Sequence, residues 1–382
     1  MTTEIHGTCD ETFGLVRRTF EQHFTNGLES GASVCVMVEG EVVVDLWAGH
    51  ADAAGTRPWE RDTIVNVFSS TKPMATLVML HLADRGVVDL DAPVATYWPE
   101  FAAAGKEGVL VRHVLGHTAG LCAWSEPLDG EDLYDLPLAT ARLAAQAPLW
   151  EPGTAAGYHA ITQGHLLGEI VRRSTGDSLG TYFREVFAEP LDADFHIGTG
   201  AEHDDRIAEI IPPLFPLGGS EPLEPGTIPF LTFRNPVVEA GIANTTAFRR
   251  AELPASNGHG NARSIARLQS LVSNGGTLEG RRLLSEDVLA RIFDEQFRGV
   301  DLVQGAAVRL GIGFGINGDE VPVSPNPRAC YWGGWGGSVV LNDLDSRMTF
   351  AYAMNRMGQG IDLDVRGVGL GLVTHQAMMT AG

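Results

Sequence analysis

The stretch VNVFSSTKPMATLVMLHLADRG, residues 65–86, combines a predicted buried helix with a candidate catalytic motif. Its apolar second half predicts a buried helix that is closed by the final glycine. Pro73 places the start of this helix near Ser69, because proline is tolerated in a first helical turn but not deeper. Ser69 and Lys72 then lie three positions apart at the positive end of the helix dipole.

The spacing S-x-x-K brings a hydroxyl and an amine together, since positions i and i+3 share one face of a helix. A serine hydroxyl is a weak nucleophile and needs a base to take its proton. Lys72 can act as that base only when it is neutral, and a desolvated site favours the neutral form. The motif alone leaves a second interpretation open, in which Ser69 caps the helix and Lys72 is solvated.

The kinds of basic residue in the chain favour the catalytic interpretation of Ser69 and Lys72. The chain has 382 residues and 27 Lys and Arg residues, of which only Lys72 and Lys106 are lysines. Arginine cannot give up its proton in a protein, whereas lysine can. A position that needed only a cation would be expected to hold arginine here. Lys106, in the segment AAGKEG, is expected to be a surface residue.

Composition excludes several partners and cofactors. The 48 acidic residues give a formal charge of −21, which disfavours nucleic acid and anionic membranes as partners. No run of 18 apolar residues and no secretory signal is found, so we expect a cytoplasmic protein. The four cysteines are far apart and no HExxH motif occurs, so we expect no metal. We also expect no organic cofactor, because attack by a serine hydroxyl with a lysine base needs none.

The order of the elements predicts an α+β fold, an antiparallel sheet flanked by helices with an inserted, mostly helical domain. The sheet domain is expected to comprise residues 1–100 and 245–382, and the insertion residues 101–244. The Pro-rich segment 212–236 predicts an irregular loop, and the acidic segment 126–135 a solvated one. Periodicity predicts helices over 10–25, 70–86, 161–174, 262–274 and 367–379, and strands over 32–38, 41–48, 338–341 and 348–354.

Two other segments carry candidate site residues. Tyr158 lies in the turn GYHA, where a phenol near a lysine could act as a general base or relay a proton. The segment YWGGWGGS, residues 331–338, has four glycines, which let a backbone approach a ligand and donate N–H bonds to an oxyanion. The structural alternatives are a core tyrosine and a bulged edge strand.

Five motifs in this order resemble the serine β-lactamase-like superfamily, which includes class C β-lactamases, penicillin-binding proteins and family VIII carboxylesterases. The resemblance covers most of the chain and is far more specific than any single motif. The five are SSTK, RHVLGHTAGL (112–121), the PG…GYHA segment, SNGHGNAR (256–263) and WGGWGGS.

The resemblance implies a role for each matching residue. Ser69 corresponds to the acylated nucleophile, Lys72 to its base partner and Tyr158 to the tyrosine of the family's Y-x-N motif. The oxyanion hole would consist of the backbone N–H groups of Ser69 and Trp335. The substrate-binding positions would be Trp332, Gly333 and Gly334, which replace the K-T-G motif, together with His159.

Two departures from the family pattern bear on the substrate. Ala160 stands where Y-x-N has asparagine, and Trp332 where K-T-G has lysine. The anchors for a β-lactam side chain and carboxylate are therefore missing, which favours a neutral, apolar acyl substrate. W-x-G in this place is similar to family VIII carboxylesterases, so we expect a carboxylesterase acting on small-molecule neutral esters with short or medium acyl groups. A β-lactamase or D-amino-acid peptidase, an acyltransferase and a non-catalytic binding protein remain alternatives, and the oligomeric state stays open.

Overall fold

The computed structural model describes residues 3–215, 217, 222–361 and 363–381, and strands from both ends of this range share one sheet. The strands are β1 (Ile5–Cys9), β2 (Gly31–Val38), β3 (Glu41–Gly49), β4 (Val65–Asn66), β5 (Phe195–Ile197), β6 (Gly258–Gly260), β7 (Thr277–Leu278), β8 (Arg281–Arg282), β9 (Phe297–Val300), β10 (Ala307–Leu310), β11 (Gly315–Ile316), β12 (Ala329–Gly333), β13 (Val339–Asp343) and β14 (Met348–Met354).

Helices surround the sheet and fill the middle of the chain. They are α1 (Gly14–Thr25), α2 (Lys72–Asp84), α3 (Val111–Leu115), α4 (Leu136–Ala145), α5 (Thr162–Thr175), α6 (Leu179–Phe183), α7 (Ile228–Arg234), α8 (Thr246–Arg250), α9 (Ala262–Ser273), α10 (Glu286–Ala290) and α11 (Val365–Ala381). In the described part of the chain, no helix has the length and apolar character that crossing a membrane would require.

Among the described residues, the large sheet has nine antiparallel strands in the order β1-β3-β2-β14-β13-β12-β11-β10-β9. β2 and β14 pair directly, with Met348 opposite Val38, although they lie near opposite ends of the chain. Long-range pairing of this kind joins the two ends of the chain into one sheet. The predicted α+β fold with an antiparallel sheet is confirmed.

The two faces of the sheet are covered by different helices. Thr349 on β14 makes a hydroxyl contact of 2.8 Å with Ser273 of α9. The next residue, Phe350, lies against α11 at Gly371. Successive side chains of a strand point to opposite faces, so α9 and α11 lie on opposite sides of the sheet.

A smaller sheet leads the chain into the segment that carries the S-x-x-K motif. It has the order β4-β6-β5, and β4 is followed by a 3-10 turn over Phe68–Thr71 and then by α2. Helix α2 is buried from Lys72 to Leu82, because nine of its 13 residues are apolar and helices and strands surround it. The predicted helix therefore exists, but Ser69 lies in the 3-10 turn that precedes it.

Two segments predicted as loops, 212–236 and 126–135, are more ordered or more buried than expected. Part of the Pro-rich segment 212–236 forms α7, in whose first turn Pro229 is tolerated, while residues 216 and 218–221 lie outside the described residues. The acidic segment 126–135 is only partly solvated, because Leu128 and Leu133 are buried. Both segments therefore contribute to the packed interior.

The expectation that Lys106 lies on the surface is wrong. Its residue is completely buried, and its Nζ donates to the carbonyls of Ala103 (2.7 Å), Ala144 (2.9 Å) and Gln146. The last two carbonyls lie at the C-terminal end of α4, where a helix leaves acceptors without partners. Lys106 therefore caps this helix end, and burial lowers its pKa.

Candidate active site

A tight turn presents Ser69. Phe68 adopts a left-handed conformation with φ of 43°, which is rare for a residue with a side chain. Asn66 accepts the Phe68 N–H at 3.2 Å, and Thr71 Oγ1 donates to the Phe68 carbonyl at 2.5 Å. Side chains on both sides of Phe68 thus hold the turn that carries the serine.

Three predicted residues meet at one point. Lys72 Nζ lies 3.0 Å from Ser69 Oγ and 3.2 Å from the Tyr158 hydroxyl, and that hydroxyl lies 2.5 Å from Ser69 Oγ. The three polar atoms form a closed triangle, and all three residues are buried. The structure therefore brings together Ser69, Lys72 and Tyr158, although 86 residues separate the lysine from the tyrosine.

The surroundings of Lys72 favour a neutral amine. Its Nζ donates to the carbonyls of Ala160 at 2.8 Å and Ala255 at 3.0 Å. Burial lowers the pKa of Lys72 well below 10.5. A neutral amine has two N–H donors and one lone pair, and the two carbonyls can only accept. They take both donors, which leaves the lone pair to face the hydroxyls of Ser69 and Tyr158.

The glycine-rich turn after β12 lies directly beside Ser69. A Cβ on Gly334 would come within 2.2 Å of the Val67 carbonyl, so only glycine fits there. Ser338 donates to the same carbonyl at 2.8 Å and contacts Ser70 Oγ at 3.0 Å. The Trp335 ring packs against Phe68 with a centroid distance of 5.2 Å. These contacts fix the two segments against each other.

Two backbone donors in these segments are without partners. Within the described ranges, neither the N–H of Ser69 nor that of Trp335 makes a hydrogen bond. Buried backbone N–H groups are nearly always paired, so two unpaired donors in segments that pack against each other require an explanation. An oxyanion formed on a carbonyl carbon attached to Ser69 would supply the missing acceptor.

Buried groups that the sequence did not single out position Tyr158. Asp301 accepts the Tyr158 N–H at 3.2 Å and also the N–H groups of Val303 (2.8 Å) and Gln304 (2.9 Å). His117 Nδ1 accepts the His159 N–H at 3.1 Å. Burial lowers the pKa of His117 well below 6.5, so no cation forms beside Lys72.

The expected contact between His159 and substrate does not agree with the structure. His159 is completely buried, with Nδ1 2.6 Å from the Gly157 carbonyl and Nε2 accepting the Leu121 N–H at 3.1 Å. Both ring nitrogens are engaged by backbone, and burial lowers the pKa of His159 to about 3. His159 therefore braces the turn that carries Tyr158.

A narrow cavity of about 30 Å³ opens onto Ser69. This volume accommodates about two water molecules. Among the described residues no charged side chain lines it. The apolar walls come from several segments, including the Pro-rich and acidic ones, and consist of Phe68, Leu133, Ala160, Ile161, Leu217, Val238, Ile242, Phe248, Leu253, Trp335 and Ile361, with Ser69, Tyr158 and Ser256 as the polar members.

Trp332 packs against His117 and Tyr158 and does not line this cavity. Its ring stacks on His117 at 5.1 Å with an angle of 16° and lies 6.2 Å from the Tyr158 ring. Trp332, Gly333 and Gly334 do not line the cavity. They form the end of β12 and the start of the turn that carries Trp335. Their expected role in substrate binding stays a prediction, and these residues would act on the substrate only through the position of Trp335.

In the described ranges no group of three or more His, Cys, Asp or Glu side chains is arranged to bind a metal ion. The partners of Lys72 at Ala160 and Ala255 could not be found from sequence, because they are backbone carbonyls. Asp301 carried one weak signal, since a carboxylate followed by a turn often accepts nearby N–H groups.

Comparison with known proteins agrees with this geometry. Over 373 residues the chain is 35% identical to the protein "Esterase/beta-lactamase LipL" of Mycobacterium tuberculosis, covering 92% of this chain and 83% of that protein. A solved family VIII carboxylesterase is 43% identical, with a TM-score of 0.91 over 98% of this chain and all of the other. A penicillin-binding protein homologue from Caulobacter crescentus is 38% identical, with a TM-score of 0.92 and the same coverage.

The family assignment follows from the extent of the match. The family model described as Beta-lactamase matches residues 16–369, which include every residue of the site. The match begins in α1 and ends in α11, so it takes in the whole large sheet except β1. The chain therefore belongs to the beta-lactamase family.

Proposed function

We propose that this chain is a carboxylesterase of the beta-lactamase-like serine hydrolase type, which cleaves neutral esters through an acyl-enzyme on Ser69. One observation carries the proposal: Lys72 Nζ lies within hydrogen-bond distance of the hydroxyls of both Ser69 and Tyr158 while two carbonyls occupy its N–H donors. The names of the relatives support ester hydrolysis, since one is an esterase/beta-lactamase and another a family VIII carboxylesterase.

The proton has a short path. The lone pair of neutral Lys72 accepts the proton of Ser69 as Oγ attacks the ester carbonyl. Tyr158, in contact with both, donates its own proton to the departing alkoxide and is reprotonated by Lys72. Water then attacks the acyl carbonyl and gives a proton to the same pair, which passes it to Ser69 Oγ as the acyl bond breaks, so that the acid and the free serine hydroxyl are released.

The developing negative charge is met by dipoles that are already in place. The N–H groups of Ser69 and Trp335 point to no other acceptor in the described part of the chain. Donors that need no rearrangement stabilise the transition state more than the ground state. Each such donor typically contributes about 10²- to 10³-fold to kcat.

The cavity favours short, uncharged acyl groups. Its walls carry no charged side chain among the described residues, and its free volume of about 30 Å³ leaves little room beyond the reacting carbon. A β-lactam or peptide carboxylate would enter this apolar space without a cation to pair with, which costs free energy. Neutral esters with short acyl chains incur no such cost.

The decisive experiment compares p-nitrophenyl esters of increasing chain length with the β-lactam nitrocefin. We expect turnover to be highest for short acyl chains and much lower for nitrocefin. Ser69→Ala should abolish ester turnover, whereas Ser125→Ala, at an exposed serine, should retain it. Mass spectrometry of wild type quenched during turnover should find the acyl group on the peptide that contains Ser69. Full activity of Ser69→Ala, or nitrocefin turnover above ester turnover, would overturn the proposal.

A further inference from the structure

A buried arginine far along the chain from the catalytic residues lies against the glycine-rich turn. Arg366, in the first turn of α11, is 5% exposed and donates from three nitrogens to five acceptors. The acceptors are Asp364 Oδ1 (2.7 Å), the Leu28 carbonyl (3.1 Å), Glu29 Oε2 (3.1 Å), the Arg356 carbonyl (2.9 Å) and the Gly336 carbonyl (2.9 Å).

The contact with Gly336 connects Arg366 to the Trp335 N–H through two peptide planes. Arg366 Nη2 fixes the Gly336 carbonyl, which belongs to the same planar peptide as the Gly337 N–H. That N–H donates to the Gly334 carbonyl at 2.9 Å. The Gly334 carbonyl belongs in turn to the planar peptide whose N–H is that of Trp335. In a trans peptide the two groups point in opposite directions, so fixing one aims the other.

We infer that Arg366 is a positioning residue for the oxyanion hole: it aims the Trp335 N–H at the reacting carbonyl. This inference rests on the proposed function, because it takes the Trp335 N–H as an oxyanion donor. Arg366 itself touches neither Ser69 nor the cavity that opens onto it. Its effect passes through the backbone of the turn.

The turn depends on this support because its glycines can adopt many backbone conformations. Gly336 and Gly337 have φ values of 93° and 126°, which residues with side chains rarely adopt. Two glycines in sequence have a large conformational entropy to lose, so side-chain contacts must hold the turn. The Gly358 N–H also donates to the Gly336 carbonyl, at 2.7 Å, and the Gly336 N–H donates to Gly360. Among these partners of Gly336, Arg366 contributes a side chain, whereas Gly358 and Gly360 contribute backbone groups.

The pairing of Arg366 explains why an arginine, rather than a lysine, occupies the position. Glu29 is fully buried and receives hydrogen bonds from both Arg366 and Tyr352. Asp364 lies on the other side of the guanidinium. A planar guanidinium binds these carboxylates and the Gly336 carbonyl together, in a fixed geometry that a lysine amine cannot reproduce. The carboxylates balance its charge, and the carbonyl receives the remaining donor.

The test separates positioning from stability. Arg366→Lys should lower kcat for a short p-nitrophenyl ester roughly 10- to 100-fold, less than complete loss of an oxyanion donor, with KM nearly unchanged. Rates are expressed per active site, counted by complete labelling with a fluorophosphonate, so unfolded protein does not enter. A trifluoromethyl ketone, which forms an oxyanion on serine, should lose affinity in the same proportion as kcat. The matching methyl ketone should bind as before.

Three further variants make the result decisive. Gly336→Ala places a Cβ 2.6 Å from the flexible Met357 side chain and shifts the same turn while leaving Arg366 in place, so it should show the same kcat loss. Glu29→Gln disturbs the other side of Arg366 and should lower stability while kcat per labelled site stays close to wild type. Arg356→Gln, at an exposed side chain, is the control that should match wild type.

The outcomes distinguish failure of the positioning role from failure of the esterase function. If Arg366→Lys and Gly336→Ala keep wild-type kcat, or raise KM alone, positioning by Arg366 is wrong while the esterase proposal stands. Positioning is also wrong if Glu29→Gln lowers kcat as much as Arg366→Lys, since equal losses indicate general loosening. If wild type shows no Ser69-dependent ester turnover, the proposed function fails and the inference fails with it.

Discussion

Replacing Lys72 with methionine tests the centre of the proposed mechanism. Methionine is close to lysine in length and fills the same buried volume, but it can neither accept nor donate the proton of Ser69. Every proton transfer in the proposed cycle passes through Lys72 or Tyr158. Because general acid–base groups each contribute about 10²- to 10⁴-fold, we expect kcat of Lys72→Met to fall by at least about 10³-fold.

The same substitution also has a predictable effect on stability. The carbonyls of Ala160 and Ala255 lose their donor and remain buried. Each unpaired buried acceptor costs about 1–3 kcal/mol, and the added apolar contact of methionine returns part of this. We expect the free energy of unfolding to fall by about 2–4 kcal/mol. A domain with a free energy of unfolding of about 5–15 kcal/mol remains folded after a loss of this size.

The chain supplies a matched control in its other lysine. Lys106 is equally buried and is also bound by backbone carbonyls, at Ala103, Ala144 and Gln146. Lys106→Met should lose a similar amount of stability, because the C-terminal end of α4 loses its cap. Its kcat should stay at the wild-type value, since no catalytic group touches Lys106.

The assay is initial-rate hydrolysis of a short p-nitrophenyl ester, combined with thermal unfolding of both variants. The mechanism is refuted if Lys72→Met, folded by circular dichroism, keeps more than about a tenth of wild-type kcat, against the roughly 10³-fold loss expected of an acid–base group. It is equally refuted if Lys106→Met loses kcat in the same proportion, because the loss would then follow from stability alone.

The remaining predictions concern the tyrosine, the pH profile and one buried carboxylate. Tyr158→Phe should lower kcat by about 10²- to 10⁴-fold with little change in the circular dichroism spectrum, because Asp301 still holds the backbone N–H of position 158. The pH profile of kcat/KM for a neutral ester should rise as the Lys72 ammonium loses its proton and level off well below pH 10.5, because burial lowers the pKa of this group; a profile still rising near pH 10.5 would contradict it. Burial by itself would raise the pKa of Asp343, but hydrogen bonds from His375, Ser324 and others outweigh it and lower the pKa below 3.8. The stabilisation by this carboxylate is therefore present above pH 3.8 and is lost as pH falls further, so Asp343→Asn should cost about 2 kcal/mol at pH 7 and less below pH 3.8 in chemical denaturation.

Prediction from sequence succeeded where the relevant contact is local or is repeated along the chain. Ser69 and Lys72 are three positions apart, so a single helical turn brings them together whatever the rest of the fold does. The strand pair β2 and β3 follows from two β-rich runs separated by Glu39-Gly40, and both residues of that turn have positive φ. Such patterns depend on neighbours in sequence.

The rest depended on acceptors that a sequence does not display. The sequence predicts Lys106 on the surface, where lysine usually lies. The carbonyls that bind it at the end of α4 are 38 and 40 residues away in the chain, so no local pattern reveals them. Ala255 contributes only its carbonyl to Lys72, so its side chain gives no signal of the role. The contacts of Arg366 with Leu28 and Glu29 depend on the pairing of the two ends of the chain in one sheet.

The two lysines show why the acceptor set, rather than burial, decides whether an amine is catalytic. Both are buried, and burial lowers the pKa of both. Lys106 faces three carbonyls, which can only accept, so three N–H donors and a positive charge satisfy all of them. Lys72 faces two carbonyls and two hydroxyls, and hydroxyls can donate. The protonated amine has too few donors for four oxygens, whereas the neutral amine satisfies the carbonyls and receives a proton from a hydroxyl. The second pair of neighbours, Ser69 and Tyr158, is thus what turns a buried structural amine into a base.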